Sequence, residues 1–134
     1  MTISATDHWF SASIRRNRQS YIFASLLLLA VMGLVFLAMW YFEARNLFGE
    51  VVFLIFFVPF VICQYFLTAQ RLRDMNVTGW LALLWIPIGM ADEGLGGALS
   101  LAAFLILATV PGTKGPNRYG PDPLDEQSWD YSRV

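Results

Sequence analysis

The sequence is poor in charge and nearly lacks the side chains that build metal sites and disulfides. Aspartate, glutamate, lysine and arginine make up 14% of its 134 residues, whereas they make up about a quarter of a typical soluble domain. A single cysteine, Cys63, excludes an intrachain disulfide, and a single histidine, His8, forms no metal-binding motif. The net charge of −1 provides no field that would attract nucleic acid.

Catalytic patterns are missing as well. The apolar runs hold no Ser–Lys pair and no paired carboxylates at helical spacing. The run from Gly112 to Gly115 contains Gly-Thr-Lys-Gly but lacks the spacing of a nucleotide-binding P-loop. We therefore predict that the protein is not an enzyme, and we predict no catalytic residue, no metal, no cofactor and no nucleic-acid partner.

Long apolar runs are abundant, since 57% of the residues are hydrophobic. Residues 21–42 carry no charge and would span about 33 Å as a helix, against about 30 Å for the hydrocarbon core of a bilayer. This run closes on Trp40, Tyr41 and Phe42, which is typical of an interfacial aromatic belt rather than of a cleavable signal peptide. Residues 51–69 are also uncharged and would span about 28 Å. Both runs predict transmembrane helices.

The third apolar region, residues 80–110, permits two interpretations. It is too long for one upright span, and Asp92, Glu93 and nearby glycines interrupt it. It either forms a hairpin, in which the spacing of Ala98 and Ala102 allows close packing on the first limb, or one long kinked or tilted helix.

The distribution of basic residues favours the hairpin. If residues 80–110 cross twice, eight of the nine basic residues fall on one side, and only Arg45 falls on the other. Positively charged loops face the cytoplasm, so both termini would be cytoplasmic. We predict an all-α integral membrane protein with four membrane-embedded helical segments, of which the third and fourth are short and form a possible hairpin; the alternative is three spans.

This interpretation divides the chain into three parts. Residues 1–19 are predicted to form a cytoplasmic amphipathic segment lying on the membrane surface, with Trp9, Phe10 and Ile14 dipping in. Residues 20–110 form the transmembrane domain. Residues 111–134 form a cytoplasmic tail rich in proline and glycine, which disfavour a helix. We expect the tail to fold back under the helices, so that Arg118 or Asp122 meets Asp74 or Arg71.

The candidate functional residues lie on the predicted cytoplasmic face. Arginines beside a membrane bind anionic lipid head groups, and tryptophan sits at the interface. Arg71 and Asp74, three positions apart, can pair on one helical face. The alternative is that these charges form no binding site and only fix the orientation of the helices in the membrane. The predicted lipid- or partner-binding residues are Arg15, Arg16, Arg18, Arg71, Arg73, Asp74, Trp80, Asn117, Arg118, Tyr119 and Asp122.

Several of these residues belong to motifs that resemble a known family. Residues 71–74, Gly79-Trp80, Pro111-Gly112-Thr113 and the run Gly-Pro-Asn-Arg-Tyr-Gly-Pro-Asp-Pro at 115–123 are similar to those of the YhaH-like small inner-membrane proteins, classed as domain of unknown function 805. The resemblance covers about residues 10 to 124. It implies a bacterial inner membrane and brings no activity or catalytic residue with it. Gln70 stands where the family motif has arginine, and Arg73 where it has histidine.

The sequence is consistent with two functions. The leading hypothesis is a non-enzymatic membrane module that binds anionic lipid or a membrane partner through its basic cytoplasmic face. The alternative is a subunit of a small oligomeric transporter or channel, for which only Gln64, Thr68, Asp92 and Glu93 are available as polar lining. A homo-oligomer is possible under both.

Overall fold

The computed structural model describes residues 14–42, 46–91 and 93–124, with the side chain of Glu93 left out. These residues are helical, apart from turns and an isolated bridge between Asn117 and Gly120. The helices are α1 (Arg18–Tyr41), α2 (Leu47–Asp74), a 3-10 helix (Gly79–Leu84), α3 (Trp85–Gly89) and α4 (Glu93–Thr109). Within the described ranges the predicted all-α class is confirmed. Most of the predicted amphipathic segment, including His8, and the end of the tail lie outside them.

Helices α1 and α2 pack side by side in opposite directions. At one end the backbone amide of Arg16 donates to the carbonyl of Gln70 at 3.3 Å. Towards the other end the rings of Phe36 and Phe53 lie 5.2 Å apart. Each helix begins at an asparagine whose side-chain oxygen accepts from a backbone amide of the first turn, as N-caps do: Asn17 accepts from Ser20, and Asn46 from Gly49.

The surface of these two helices is apolar. Both are long and apolar enough to cross a membrane, and only 17% and 11% of the residues in their most apolar windows are buried. Phe23, for example, is 67% exposed. A soluble protein rarely leaves a contiguous apolar surface of this kind to water. The two predicted spans are therefore compatible with a bilayer in length, composition and exposure.

The third apolar region folds as a hairpin. Gly79, at its start, packs against the guanidinium of Arg73, and Leu107, near its end, accepts a hydrogen bond from Arg71. The hairpin therefore begins and ends beside the Asp74 end of α2, which we call the polar end. The chain does not adopt the alternative of one continuous helix, because helix α3 ends at Gly89 and α4 begins at Glu93.

Gly96, rather than the predicted alanine pair, makes the close contact between the limbs. A Cβ on Gly96 would lie 2.8 Å from the carbonyl oxygen of Ile88, so only glycine allows this approach. Ala98 and Ala102 are exposed instead. From the rise per residue, the first limb is about 20 Å long and α4 about 26 Å, both shorter than a hydrocarbon core of about 30 Å.

Helix α2 ends in a Schellman motif that points the chain into the hairpin. The amide of Asn76 donates to the carbonyl of Arg73, and the amide of Val77 donates to that of Leu72. Asn76 has φ 60°, a left-handed conformation that asparagine tolerates better than most residues. Helix α2 therefore includes the polar run from Gln70 to Asp74. The buried core lies nearby and consists of Tyr21, Ala24, Leu67 and Leu107.

Candidate functional site

Three segments that are distant in sequence meet at the polar end. They are residues 14–17, the last turn of α2, and the tail from residue 111 to 124. The amide of Thr113 donates to the carbonyl of Asp74 at 2.8 Å, which fixes the tail to the end of α2. The tail therefore folds back onto the helices, as expected from the sequence.

Asp74 is the centre of this arrangement. Nη2 and Nε of Arg15 donate to its Oδ1 at 3.0 Å and 3.2 Å. Nη1 of Arg71 pairs with its Oδ2, which confirms the pair predicted from the spacing. Arg15, Arg71 and Asp74 are 4%, 0% and 4% exposed. Charges removed from water are tolerated only when paired and fully hydrogen-bonded, so the remaining donors of the two arginines need acceptors.

Carbonyl oxygens supply those acceptors for Arg71. Its Nε donates to the carbonyl of Leu107 at 2.8 Å, and its Nη2 donates to the carbonyl of Val110. The last carbonyls of a helix have no partner within the helix, and a cation there also complements the helix dipole. Arg71 of α2 therefore caps the C-terminus of α4 and ties the returning limb of the hairpin to the polar end.

Arg15 binds carbonyl oxygens of the tail. Its Nη1 donates to the carbonyls of Gly115 at 2.8 Å and Gly120 at 3.2 Å, and its Nη2 donates to the carbonyl of Thr113 at 2.6 Å. Gly115 and Gly120 have φ of 74° and 128°, values open to glycine but costly for other residues. These turns aim three carbonyls at one guanidinium. We call Arg15, Arg71 and Asp74 the inner cluster.

Arg16 is held by neutral partners beside the inner cluster. Its Nε donates to Oε1 of Gln70 at 2.8 Å, and its Nη1 donates to Oγ of Ser20 at 2.7 Å. Burial lowers the pKa of Arg16 to about 10, so the side chain is still a cation at neutral pH. Gln70 thus provides an acceptor where an arginine, as the resemblance implies at this position, would repel Arg16.

A second group of cations lies outside the inner cluster. Arg73 and Arg118 lie beside the ring of Tyr119, with their guanidinium carbons 5.9 Å and 4.7 Å from its centroid. Nη1 of Arg73 has no hydrogen-bond partner among the described residues. Nη2 of Arg118 donates to the carbonyl of Asn76 at 3.1 Å. Together with the exposed Lys114, we call Arg73 and Arg118 the outer cations.

The predicted functional residues differ in burial, and Arg73, Asn117, Tyr119 and Asp122 are half-buried. Arg15, Arg16, Arg71 and Asp74 are buried, whereas Arg18, Trp80 and Arg118 are exposed. Asn117 joins the tail to α2 by donating to the carbonyl of Arg73 at 2.9 Å. Asp122 accepts from the amide of Gly115 at 2.8 Å. Asp122 acts electrostatically on Asp74, whereas the acidic partner of Arg15 and Arg71 is Asp74 itself. The hydrogen bond of Arg118 goes to the carbonyl of Asn76.

Sequence reasoning missed Gln70, Thr113 and Gly112. A Cβ on Gly112 would overlap the carboxylate of Asp74. The signal was the Pro-Gly-Thr run in the tail, which belongs to the family motif but shows no chemistry on its own. Of the residues proposed for a transporter interior, Gln64 and Thr68 lie one turn apart on α2, and Thr68 is buried and accepts from Trp85. The side chains of Asp92 and Glu93 lie outside the described residues.

The described residues define a small all-helical protein with two helices fit to cross a membrane and an arginine-rich end closed by its own tail. Over residues 9–121 the chain matches the family described as protein of unknown function (DUF805), and it belongs to that family. This confirms, for the family, the resemblance seen in the loop and tail motifs. Comparisons with curated proteins and with solved structures found no match.

Proposed function

We propose that the protein is a non-enzymatic module of the bacterial inner membrane that binds anionic lipid head groups at its polar end. The observation that carries this proposal is the division of the basic residues. Within the inner cluster, the guanidinium groups of Arg15 and Arg71 bind Asp74 and backbone carbonyls. The outer cations form no ion pair with the carboxylates of the described residues, so their charge is available to a ligand.

The position of the polar end also determines the arrangement that we propose for the membrane. Helices α1 and α2 cross the bilayer, and the hairpin of residues 79–109 enters from the polar end and returns to it. All four segments are then membrane-embedded, and both termini lie on the cytoplasmic side. The positive-inside rule supports this orientation, because the arginines before α1 and in the last turn of α2 lie together.

The chemistry of the outer cations suits a phosphate group. A guanidinium presents a planar set of donors that matches phosphate oxygens, and the guanidinium of Arg118 is exposed, as is Lys114. Each basic residue near an anionic membrane surface contributes about 1 kcal/mol of attraction. Trp80, which is 72% exposed, and the ring of Tyr119 are side chains typical of the membrane interface. Apolar surface for the acyl chains lies on α1 and α2.

The direct test is native mass spectrometry of the protein released from mild detergent after reconstitution. We expect phosphatidylglycerol or cardiolipin to remain bound in preference to phosphatidylethanolamine. The double variant R73Q/R118Q should lose this preference, while R73K/R118K, which keeps both charges, should retain part of it. Competition by inorganic phosphate would indicate a free anion as ligand instead.

The proposal fails if the native protein retains no anionic lipid, or if R73Q/R118Q retains as much as the native protein. The same spectra report the mass of the complex. A lipid-free homo-oligomer or a complex with a second membrane protein would favour the partner-binding form of the hypothesis, in which the outer cations meet acidic residues of another chain.

A further inference from the structure

A column of polar side chains continues from the inner cluster into the apolar part of the protein. Gln64, Thr68 and Arg71 are spaced four and three positions apart, so they share a face of α2, and Tyr21 and Ser25 share a face of α1. From Arg71 to Gln64 the column extends about 10 Å along the helix axis. It therefore reaches well below the polar end.

Three atoms in this column are buried and unsatisfied. The hydroxyl of Tyr21, Oγ of Ser25 and Oε1 of Gln64 have no hydrogen-bond partner among the described residues. Tyr21 and Ser25 are both 0% exposed. Each such group costs about 1–3 kcal/mol when it is left without a partner. The hydroxyls of Tyr21 and Ser25 lie close together, which is a strong indication of a missing partner.

The neighbours of the Tyr21 hydroxyl are polar. The hydroxyls of Thr68 and Ser25 lie near enough to act on it as hydrogen-bonding groups, and the charge of Arg71 also acts on it, but no neighbour meets the geometry of a direct hydrogen bond. Thr68 also accepts from Nε1 of Trp85 at 3.1 Å. A buried water binds where two to four polar groups converge, and the side chains around Tyr21 provide that number.

The column is closed at its deep end. Beyond Gln64, the rings of Phe53, Phe57 and Phe60 follow one another along α2, with centroids 5.1 Å and 6.4 Å apart. Phe53 in turn contacts Phe36 of α1. These rings offer no hydrogen-bonding group, so water that enters from the polar end stops at the level of Gln64.

We propose that the protein binds water inside this column, with Tyr21, Ser25 and Thr68 as its ligands and the inner cluster at its entrance. The site is a buried, hydrated pocket that lies between the inner cluster and the level of Gln64. This inference does not depend on lipid binding.

X-ray hydroxyl-radical footprinting of the full chain in detergent tests the site, because radicals formed from bound water oxidise the side chains beside it. We expect Tyr21 to be oxidised although it is fully buried, with exposed Tyr41 as the positive control. In S25A the oxidation of Tyr21 should fall. An unmodified Tyr21 in a sample whose Tyr41 is oxidised would overturn the proposal.

The sign of a melting-temperature shift gives a second readout. If water partners the Tyr21 hydroxyl, Y21F loses a hydrogen bond and melts at a lower temperature. If the hydroxyl is dry and unpartnered, Y21F melts at a higher temperature, which contradicts the proposal. Y41F, which changes an exposed tyrosine, should melt with the native protein. A lower melting temperature without oxidation of Tyr21 would indicate direct bonding between the hydroxyls and would also contradict it.

Discussion

Arg15 and Asp74 are 59 positions apart in the sequence, yet Nη2 of Arg15 donates to Oδ1 of Asp74 at 3.0 Å, and both side chains are buried. Around this contact the segment before α1, the end of α2 and the tail form one unit. The carboxylate is shared with Arg71, so a single negative charge stabilises two buried cations. The first prediction follows from that imbalance.

Replacing Asp74 by asparagine should strongly destabilise the protein. The change leaves the guanidinium groups of Arg15 and Arg71 buried without a counter-ion, and breaking a buried pair in this way costs about 3–5 kcal/mol. Denaturant unfolding in mixed micelles measures the free energy of unfolding. Asp122→Asn is the matched control and should cost less, because Asp122 is only half-buried. Equal losses in the two variants would show that Asp74 is not the centre of the polar end.

Replacing Gly112 by alanine should also destabilise it. The added methyl group would overlap the carboxylate of Asp74, and overpacking of this kind costs about 1–3 kcal/mol. The control is Gly97→Ala in α4, where an added Cβ meets nothing within 4 Å. Alanine is a better helix former than glycine, so this second variant should gain about 0.5–1 kcal/mol. The prediction is wrong if the two substitutions have the same sign.

Asn76 should tolerate glycine but not alanine. Its φ of 60° costs most residues with a Cβ about 1–2 kcal/mol, a penalty that asparagine offsets by local hydrogen bonding of its side chain and that glycine does not have. We therefore expect Asn76→Ala to lower the free energy of unfolding by about that amount, and Asn76→Gly to leave it nearly unchanged. Loss of stability in the glycine variant would instead assign the role of Asn76 to its side chain.

Restoring the family arginine at position 70 should destabilise this chain. Gln70 is fully buried and accepts from Arg16, so Gln70→Arg removes that acceptor and brings a third guanidinium close to Arg16 and Arg71. A drop in melting temperature, together with recovery in the double variant Gln70→Arg/Arg16→Gln, is the expected result. Gln70→Glu, which keeps the acceptor and adds a negative charge, should fold. An unaffected Gln70→Arg protein would contradict this account.

Reporter fusions in a bacterial host should place both termini in the cytoplasm. We expect a phosphatase that is active only outside the cytoplasm to be inactive after Val134 and active when inserted at Arg45. The opposite pattern would invert the orientation of the polar end. Activity at both sites would show that residues 79–109 cross the membrane once.

The sequence predicted what depends on local pattern. Uncharged runs long enough for a bilayer identified α1 and α2, and the spacing of Arg71 and Asp74 predicted their ion pair, because three positions bring two side chains onto one face of a helix. Even the hairpin was indicated, since the positive charges before Ser20 and after Val110 favour one side of the membrane.

The contacts that were not predicted depend on tertiary structure. Arg15 could meet many acidic residues, and only the packing of α1 on α2 selects Asp74. The contact between the limbs was assigned to Ala98 and Ala102 because their spacing is typical of close helix packing. The short 3-10 helix changes the register, and Gly96 faces the first limb instead. The polar run from Gln70 to Asp74 stays helical because the tail covers it.

The way in which Arg15 is bound sets an order for biogenesis. Its acceptors at Thr113, Gly115 and Gly120 leave the ribosome about a hundred residues after Arg15 itself. In the proposed membrane arrangement the first helix enters the bilayer with this arginine still hydrated, and the N-terminal arm takes its final position only when synthesis has passed residue 120. Closure of the polar end thus follows synthesis of the tail, and a ribosome stalled before Gly112 would hold an inserted but open chain.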